Sequence, residues 1–369
     1  MISLAKPDTT ISDLINIGEV LSGGYLIQGP KVQTFEQEIL AYLKPGHLSV
    51  LVSSCTAALH LALLALGVKK DDEVVVPAYS WPATANVVEL VGARPIFVDI
   101  DENTFNLDPE SLKALWKNKP ATEVKALIVV HAFGLPAAMA DILKLAQEAK
   151  LPVIEDAACA LGSTLNGQAA GTFGEIGCFS FHPRKILTTG EGGLVTSGDS
   201  QILKTVKALR NHGLDPESPL PEFILPGFNY RLTDLQAALG LAQLKRFPEF
   251  LQKRRVLADL YTQIFQGSPI VPQQIPPEAR SNYQSYVVKV PAQVNRDSLI
   301  QKLAARGIAA GIGTWHIPLT KYYREKYGFK VGSFPKTDIV FQQSLTLPLH
   351  HGLTQNDITF VGNTLLELL

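Results

Sequence analysis

The sequence predicts an α/β protein with a mostly parallel central sheet in a large lobe and a smaller α+β lobe at its C-terminal end. Short apolar runs alternate with helical patterns through the first two thirds of the chain, as in sheets covered by helices. The 369 residues exceed one typical core. We therefore assign residues 1–250 to the large lobe and 251–369 to the small one, and allow the first residues to pack on the small lobe.

The candidate strands are short apolar runs, most of them followed by loop residues. They cover residues 49–52, 73–76, 96–98, 127–130, 153–154, 178–181 and 194–196. Open α/β sheets bind ligands at the carboxyl ends of their strands. Polar residues directly after these runs are therefore candidate site residues.

The later part of the chain begins with a helix-start signal. Thr233 and Gln236 form a capping-box pattern, and the helix that they open meets Pro248 before a second helical stretch through Phe265. We expect the lobe boundary near this proline. The small lobe is predicted to contain a strand at 285–290 and helices at 297–305 and 357–368.

Composition excludes several classes of protein. Hydrophobic residues make up 46% and charged residues 18%, which is typical of a globular protein. A net charge of -1 gives no field that favours nucleic acid. The N-terminus lacks a secretory pattern and no apolar run is long enough to span a membrane, so we expect a cytoplasmic protein without a membrane partner. The three cysteines lack CxxC spacing, which predicts neither a disulfide framework nor a metal site.

Lys185 is the most informative residue. It lies on a loop before the glycine-rich segment 188–193, and Asp156 ends an apolar run upstream. A lysine on such a loop with a carboxylate at a nearby strand end is the arrangement that holds an aldehyde cofactor as a Schiff base. His182 and Arg184 are candidate neighbours that would make the amine more nucleophilic. The alternative is a surface lysine before a hairpin.

Asp156 follows Glu155 at the end of that apolar run. A carboxylate at such depth is costly unless it is paired, and a protonated pyridine nitrogen would serve as its partner. The ring would then stay electron-poor and could accept electrons from a substrate Cα–H bond. The alternative is that Asp156 caps the next helix.

Two further segments fit the same cofactor. At residues 53–59 a strand ends and an alanine- and leucine-rich helix begins, so free N–H groups and the Thr56 hydroxyl could bind a phosphate. A plain helix cap is the alternative. Trp81 follows another strand, where its indole could lie on a heteroaromatic ring, although a tryptophan in this position could also belong to the core.

Together these segments resemble the pyridoxal phosphate (PLP)-dependent nucleotide-sugar aminotransferases of the DegT and StrS type, which have the fold type I architecture of aspartate aminotransferase. The resemblance extends over nearly the whole chain. It is carried by residues 21–32, 72–77, 92–101, 155–158, 179–185, 190–193, 227–238, 332–335 and 347–349.

The resemblance implies a cofactor site. Lys185 would form the Schiff base with PLP and later move the proton, Asp156 would pair with the pyridine nitrogen, and Trp81 would stack on the ring. The phosphate ligands would be Cys55, Thr56 and Ser180, joined by Asn229 from the neighbouring subunit. A homodimer with shared sites follows. His182 and Arg231 would contact substrate, and Gln28, Tyr79 and the Trp315-His316 segment would line the sugar side.

The chain departs from the family pattern at three positions. The family usually has glutamine three places after the aspartate, where it reaches the ring hydroxyl, and histidine two places further on. Cys159 and Leu161 occupy these positions here, and Cys55 replaces the usual glycine before the phosphate threonine. A thiol donates only weakly, so the electronics of the bound cofactor or the substrate class could differ.

The implied reaction has two half-reactions at one site. An amino donor, glutamate or glutamine, would convert PLP to pyridoxamine phosphate, which would then aminate a keto group on a nucleotide-linked sugar in polysaccharide biosynthesis, with ping-pong kinetics. Alternatives are a cyclitol ketone as acceptor and a non-catalytic regulatory homologue. Lys185 argues against the sugar 3-dehydratases, which carry histidine there. Residues 53–58 lack the G-x-G-x-x-G turn of a nicotinamide dehydrogenase.

Overall fold

The strands of the protein form one large sheet and several smaller ones. The computed structural model describes residues 1–118 and 123–369. Within these ranges the strands are β1 (Leu48–Val52), β2 (Glu73–Pro77), β3 (Tyr79–Ser80), β4 (Arg94–Val98), β5 (Val124–Val130), β6 (Val153–Asp156), β7 (Thr164–Leu165), β8 (Gln168–Ala169), β9 (Ile176–Ser180), β10 (Gly193–Ser197), β11 (Val271–Pro272), β12 (Ala279–Arg280), β13 (Tyr286–Lys289), β14 (Gly311–Ile312), β15 (Trp315–His316) and β16 (Ser344–Leu347).

The α-helices lie between and after these strands. In the same two ranges they are α1 (Ile11–Gly23), α2 (Pro30–Glu38), α3 (Cys55–Ala65), α4 (Ala83–Leu90), α5 (Pro109–Asn118), α6 (Met139–Glu148), α7 (Ser200–Arg210), α8 (Asp234–Phe265), α9 (Arg296–Ala305), α10 (Lys321–Tyr327), α11 (Pro335–Gln343) and α12 (Gln355–Glu367).

The central sheet contains seven of the described strands in the order β1-β10-β9-β6-β5-β2-β4. Strand β10 is antiparallel to both of its neighbours, and the other pairs are parallel. All seven sequence-predicted strands overlap strands of this sheet, so the predicted mostly parallel α/β architecture is confirmed. Strand β5 begins three residues earlier than predicted, and β6 continues through Asp156 and thus includes the acidic pair.

The sheet is buried on both faces because helices cover each side. Alternate residues of one strand enter different apolar clusters: Val50 and Val52 pack with residues of α3 and α7, whereas Leu51 packs with residues of α2 and α8. The same alternation separates Val76 from Val75, which packs with residues of α6. Strands buried on both faces read as continuous apolar runs, which is why the sequence pattern located them.

Helix α8 corrects one prediction. Its start agrees with the sequence, since the Thr233 hydroxyl accepts from the Gln236 N–H at 3.3 Å and the Gln236 side chain accepts from the Thr233 N–H at 3.1 Å. However, the helix continues without a break through Pro248 to Phe265, so the predicted interruption is wrong. Proline removes one N–H donor, but Phe247 and Phe250 are buried on either side of it and hold the helix against the core.

A second sheet, in the order β11-β13-β16-β14, lies in the C-terminal part. An apolar cluster joins it to α9, α12 and the second half of α8. Strand β13 and helices α9 and α12 overlap the elements predicted there. The first residues pack here as well, because the Ile2 N–H donates to Gly307 at 2.7 Å and the Ile2 carbonyl accepts from Ala309 at 2.9 Å. The division into lobes near residue 250 stays a prediction.

Within residues 1–118 and 123–369 there is no helix with both the length and the apolar composition needed to cross a membrane.

Candidate active site

Four strand ends meet at one edge of the central sheet. Strands β1, β6 and β9 end there with Val52, Asp156 and Ser180, and the antiparallel β10 begins there with Gly193. Gly193 pairs with Val52 on one side and with Ser180 on the other. The start of α3, Asp156 and Ser180 therefore lie at the same edge, where parallel sheets bind ligands.

The start of α3 can bind an anion. The Ser54 hydroxyl caps the helix by accepting from the Ala57 N–H at 3.1 Å, so the cap interpretation holds for this serine. The N–H groups of Cys55 and Thr56, at the first turn, have no acceptor within the helix and are available to a phosphate. A Cβ atom at Gly193 would lie 2.6 Å from the Cys55 nitrogen, so only glycine lets β10 approach this helix start.

Asp156 is buried at the edge, with 6% of its surface exposed. One carboxylate oxygen accepts from the Thr84 hydroxyl at 2.7 Å and the other from the Ala158 N–H at 3.3 Å. A turn, not a helix, follows Asp156, which excludes the helix-cap alternative. Burial raises its pKa, and the two hydrogen bonds oppose that rise without cancelling it. A bound cation would therefore stabilise this carboxylate.

The neighbouring Glu155 has a different role. Its oxygens accept from the N–H groups of Gly171, Phe173 and Gly174 at 2.6 to 2.8 Å. The His131 Nε2 lies 2.7 Å away, and both side chains are fully buried. All of these partners belong to the protein, so Glu155 is a structural residue and Asp156 alone faces the candidate site.

Lys185 lies on the loop between β9 and β10, and its Nζ is 3.0 Å from the Cys159 Sγ. Burial favours the neutral amine, but the nearby acidic groups of Cys159, Cys55 and Asp156 outweigh burial and raise the lysine pKa. The influence of His182 and Arg184 on this amine stays a prediction, because neither residue is among the causes of the raised pKa. The His182 side chain is 43% exposed and its Nε2 lies 3.8 Å from a Glu191 oxygen.

Two amide side chains from outside the large sheet bond the loops that carry Lys185 and Cys159. The Gln284 amide oxygen accepts from the Ile186 N–H at 3.1 Å, and its nitrogen donates to the Arg184 carbonyl at 2.7 Å. Asn282 donates to the Cys159 carbonyl at 2.9 Å. Neither residue could be predicted from the sequence, because nothing in the local pattern of Gln284 and Asn282 connects them to a lysine almost 100 positions away.

The aromatic side of the site lies on the short β3–β15 ribbon, in which Trp315 pairs with Ser80. Trp81 directly follows β3 and is 60% exposed, so it is not a core tryptophan. Trp315 is 40% exposed. Both indoles are therefore accessible to a ligand.

Tyr79 and His316, two predicted sugar-side residues, are buried at 1% and 2% exposure. The Tyr79 hydroxyl lies 2.8 Å from the Ser344 Oγ, and burial raises the tyrosine pKa to about 12. His316 Nε2 lies 3.1 Å from an Asp338 oxygen. Both side chains are used inside the protein, so the prediction that they face a sugar is corrected. Within the Trp315-His316 segment, the outward-facing side chain is Trp315.

The remaining candidates lie near the start of α3 or at the surface. The Ser53 N–H donates to the Tyr230 carbonyl at 2.8 Å, which places the 229–231 segment beside the end of β1. Asn229 is exposed, whereas the Arg231 guanidinium donates to the Asn211 side chain at 2.6 Å. Gln28 is half-buried. Their roles toward ligands stay predictions.

No cluster of three or more His, Cys, Asp or Glu side chains in the described ranges is arranged to hold a metal ion. What the edge does offer is an anion-binding helix start, a buried acid, a lysine amine and an exposed indole. These groups fit a phosphorylated heteroaromatic aldehyde, with the acid toward a ring nitrogen and the amine toward the aldehyde. The class that fold and site define is an α/β enzyme that uses such a cofactor.

Comparison with known proteins identifies the family. The family model of the DegT/DnrJ/EryC1/StrS aminotransferases matches residues 8–366, and the chain belongs to this family. The spore coat polysaccharide biosynthesis protein SpsC of Bacillus subtilis is 35% identical over 360 residues, covering 94% of this chain and 91% of SpsC.

Solved structures agree with this assignment. Spr1654 of Streptococcus pneumoniae, provisionally named a sugar aminotransferase, has been solved in PLP and pyridoxamine phosphate forms; it is 30% identical, with a TM-score of 0.93 over 100% of this chain and 97 to 98% of its own. The GDP-4-keto-6-deoxymannose-3-dehydratase ColD is 26% identical, with a TM-score of 0.91 over 99% of this chain and 100% of its own. The predicted aminotransferase activity, PLP dependence and fold type I architecture are confirmed.

Proposed function

We propose that this aminotransferase moves an amino group from glutamate or glutamine to the keto group of a nucleotide-linked sugar, by a ping-pong mechanism. The observation that carries the proposal is the meeting of the Lys185 amine, the Asp156 carboxylate and the start of α3 at one sheet edge. The names of SpsC and Spr1654 refer to polysaccharide biosynthesis and to sugar amination, which supports a sugar as acceptor.

In this proposal each group of the edge has one task toward PLP. The N–H groups of Cys55 and Thr56, with the Thr56 and Ser180 hydroxyls, bind the phosphate. Asp156 holds a proton on the ring nitrogen, and Trp81 covers one face of the ring. When bound, PLP supplies an electron sink for the carbanion that forms at the substrate Cα.

Lys185 then has two tasks. Its amine would hold the cofactor through the aldehyde carbon, and as a free amine it would move the proton of the substrate Cα. The raised pKa means that this amine must first lose a proton. Because Gln284 bonds the residues on both sides of Lys185, we assign it as a positioning residue.

The acceptor would enter past the exposed aromatic side. The sequence predicted that His316 lines the sugar side, and we now assign that role to the exposed Trp315. Trp315 pairs with Ser80, the residue before Trp81. Flat indole faces suit the apolar face of a sugar ring or a nucleobase. His182, Gln28 and Arg231 remain the proposed polar contacts with substrate.

The first test separates the half-reactions. Protein loaded with PLP and treated with glutamate alone should accumulate pyridoxamine phosphate, seen as loss of visible absorbance, and should form one equivalent of 2-oxoglutarate. A nucleotide-linked keto sugar should then restore the visible band and carry the new amino group by mass spectrometry. A panel in which only a free cyclitol ketone restores the band, or in which no ketone does, would contradict the proposed acceptor.

We further propose a homodimer in which Asn229 contacts the cofactor phosphate of the partner subunit. The proposed homodimer is supported by large apolar side chains that are exposed to solvent in the single chain. Ile11 and Leu14 of α1 are 71% and 65% exposed, and Leu220 and Phe223, on the loop before Asn229, are 73% and 68% exposed. Sedimentation equilibrium at micromolar concentration should give the mass of two chains. A monomer that transaminates at the full rate would contradict the shared site.

We place the reaction in the cytoplasm. Cys55, Cys159 and Cys178 are free thiols. Free thiols persist in reducing compartments, and this supports the cytoplasmic assignment.

A further inference from the structure

Cys159 and Lys185 form a contact between a thiol and an amine. The Lys185 Nζ lies 3.0 Å from the Cys159 Sγ, and both residues are partly accessible. The other two cysteines differ, because Cys55 and Cys178 are buried and burial raises the pKa of each thiol well above its ordinary range. Protonated, enclosed thiols are poor nucleophiles. Cys159 is therefore the cysteine that an oxidant reaches, and an amine is its nearest polar partner.

The backbone on both sides of this contact is fixed. Asn282 donates to the carbonyls of Cys159 and Leu161 at 2.9 and 2.8 Å. Gln284 bonds Arg184 and Ile186, the residues next to Lys185. The Asn282 side chain also accepts from the Gln284 N–H at 2.8 Å, so one short segment aligns both loops. The backbones that carry the thiol and the amine are thus held next to each other by the fold.

A small cavity adjoins the pair. Its volume is about 10 Å³, and its lining includes Cys159, Ser180, Lys185, Asn282 and Gln284. That volume is close to the minimum for one water molecule. A molecule of water formed beside the sulfur therefore has a place next to polar groups.

We propose that peroxide converts this pair into a reversible covalent cross-link between Cys159 and Lys185. Hydrogen peroxide first oxidises the thiol to a sulfenic acid, and one water is released. After the Lys185 ammonium has released a proton to solvent, the neutral amine attacks the sulfur: an N–S bond forms, the S–O bond breaks, and the hydroxyl of the sulfenic acid leaves as a second water after taking up one proton from the nitrogen. One peroxide is reduced, and the pair loses two hydrogens. A thiol reductant reverses the link and restores both side chains.

The cross-link would act as a redox switch on cofactor loading. A nitrogen bonded to sulfur cannot join the PLP aldehyde, so the oxidised chain would remain without covalently held cofactor. In the opposite direction, a chain whose Lys185 already holds PLP would resist the cross-link. This consequence rests on the role proposed for Lys185, whereas formation of the link does not.

The test uses the full-length chain, freed of cofactor and treated with hydrogen peroxide at about one equivalent. We expect the intact mass to fall by about 2 Da, the mass of two hydrogens. A proteolytic digest should contain one peptide pair joined through Cys159 and Lys185, and dithiothreitol should abolish both signals. Gains of about 16 or 32 Da on Cys159, without a joined peptide pair, would overturn the proposal.

Two variants serve as matched controls. Cys159→Ser should show no mass loss, and Lys185→Arg should gain oxygen on Cys159 instead of losing hydrogen. Unchanged mass loss in either variant would overturn the assignment to this pair. Wild-type protein loaded with PLP should form at least tenfold less cross-link. If loading gives no protection while the mass loss persists, the role proposed for Lys185 has failed and the cross-link stands.

Discussion

Replacement of Lys185 by alanine should abolish transamination and the visible absorbance of the bound cofactor together. The Lys185 Nζ is the amine that the fold brings to the sheet edge, and under the proposed function it would both hold the aldehyde and move the Cα proton. We expect kcat/KM to fall by about a thousandfold or more, as for loss of a general acid–base residue. Absorbance spectra of the loaded variant and steady-state rates with glutamate measure the two effects.

The matched variant Lys185→Arg keeps the positive charge beside Cys159 and Asp156 but cannot join the aldehyde. It should bind PLP non-covalently and remain as inactive as Lys185→Ala. A Lys185→Ala protein that still converts glutamate catalytically within tenfold of the wild-type rate would contradict the assigned role.

Replacement of Asp156 by asparagine should lower kcat/KM by about a hundred- to a thousandfold while leaving the fold intact. Under the proposed function the substitution would remove the negative charge that keeps a proton on the ring nitrogen, and loss of one preorganised electrostatic partner has effects of this size. The asparagine can keep the hydrogen bonds, since its oxygen can accept from Ala158 and the Thr84 hydroxyl can accept from its nitrogen. Rates at glutamate concentrations well below KM test the predicted fall in kcat/KM, and denaturant unfolding of the cofactor-free protein tests whether the fold is intact.

The neighbouring acid provides the control for the Asp156 prediction. In the wild type the Glu155 carboxylate accepts hydrogen bonds from three backbone N–H groups. In Glu155→Gln one carboxylate oxygen becomes an NH₂ group, which cannot accept from these donors. Because an unsatisfied buried donor and a lost charge-assisted bond each destabilise, the free energy of unfolding should fall by about 2 to 4 kcal/mol. The exposed Glu148→Gln should change it by less than about 0.5 kcal/mol. If Asp156→Asn unfolds as easily as Glu155→Gln, Asp156 is a structural residue like its neighbour.

The Asp156 pKa also gives this prediction a pH dependence. Burial raises the pKa from its ordinary value of 3.8 in the cofactor-free chain, so the folded state binds this proton more tightly than the unfolded state does. The ionised carboxylate therefore destabilises the empty protein, an effect that is absent below about pH 3.8 and complete above the raised pKa. Asp156→Asn should be at least as stable as wild type at neutral pH, and the difference should shrink as the pH falls.

Local patterns were sufficient to locate the sheet and the strand ends that form the candidate site. Strands buried on both faces give apolar runs, and the end of each run marks the edge where Asp156 and Ser180 lie. The capping box at Thr233 likewise depends only on neighbouring residues.

The parts that the sequence did not provide depend on contacts between distant segments. Pro248 reads as a break, but burial of Phe247 and Phe250 keeps α8 continuous. Tyr79 follows a strand as Trp81 does, yet its hydroxyl is engaged by Ser344, 265 positions away. Gln284 and Asn282 align the lysine loop from the other end of the chain. The direction of the Lys185 pKa shift likewise depends on Cys159, Cys55 and Asp156, which only the fold brings near the amine.

The most direct test of the central claim is to reduce the PLP-loaded protein with borohydride and to sequence its peptides by mass spectrometry. The account predicts a single phosphopyridoxyl adduct, on Lys185, formed in the wild type and absent after treatment with excess glutamate. An adduct on a different lysine, or none in a protein that transaminates, would contradict it.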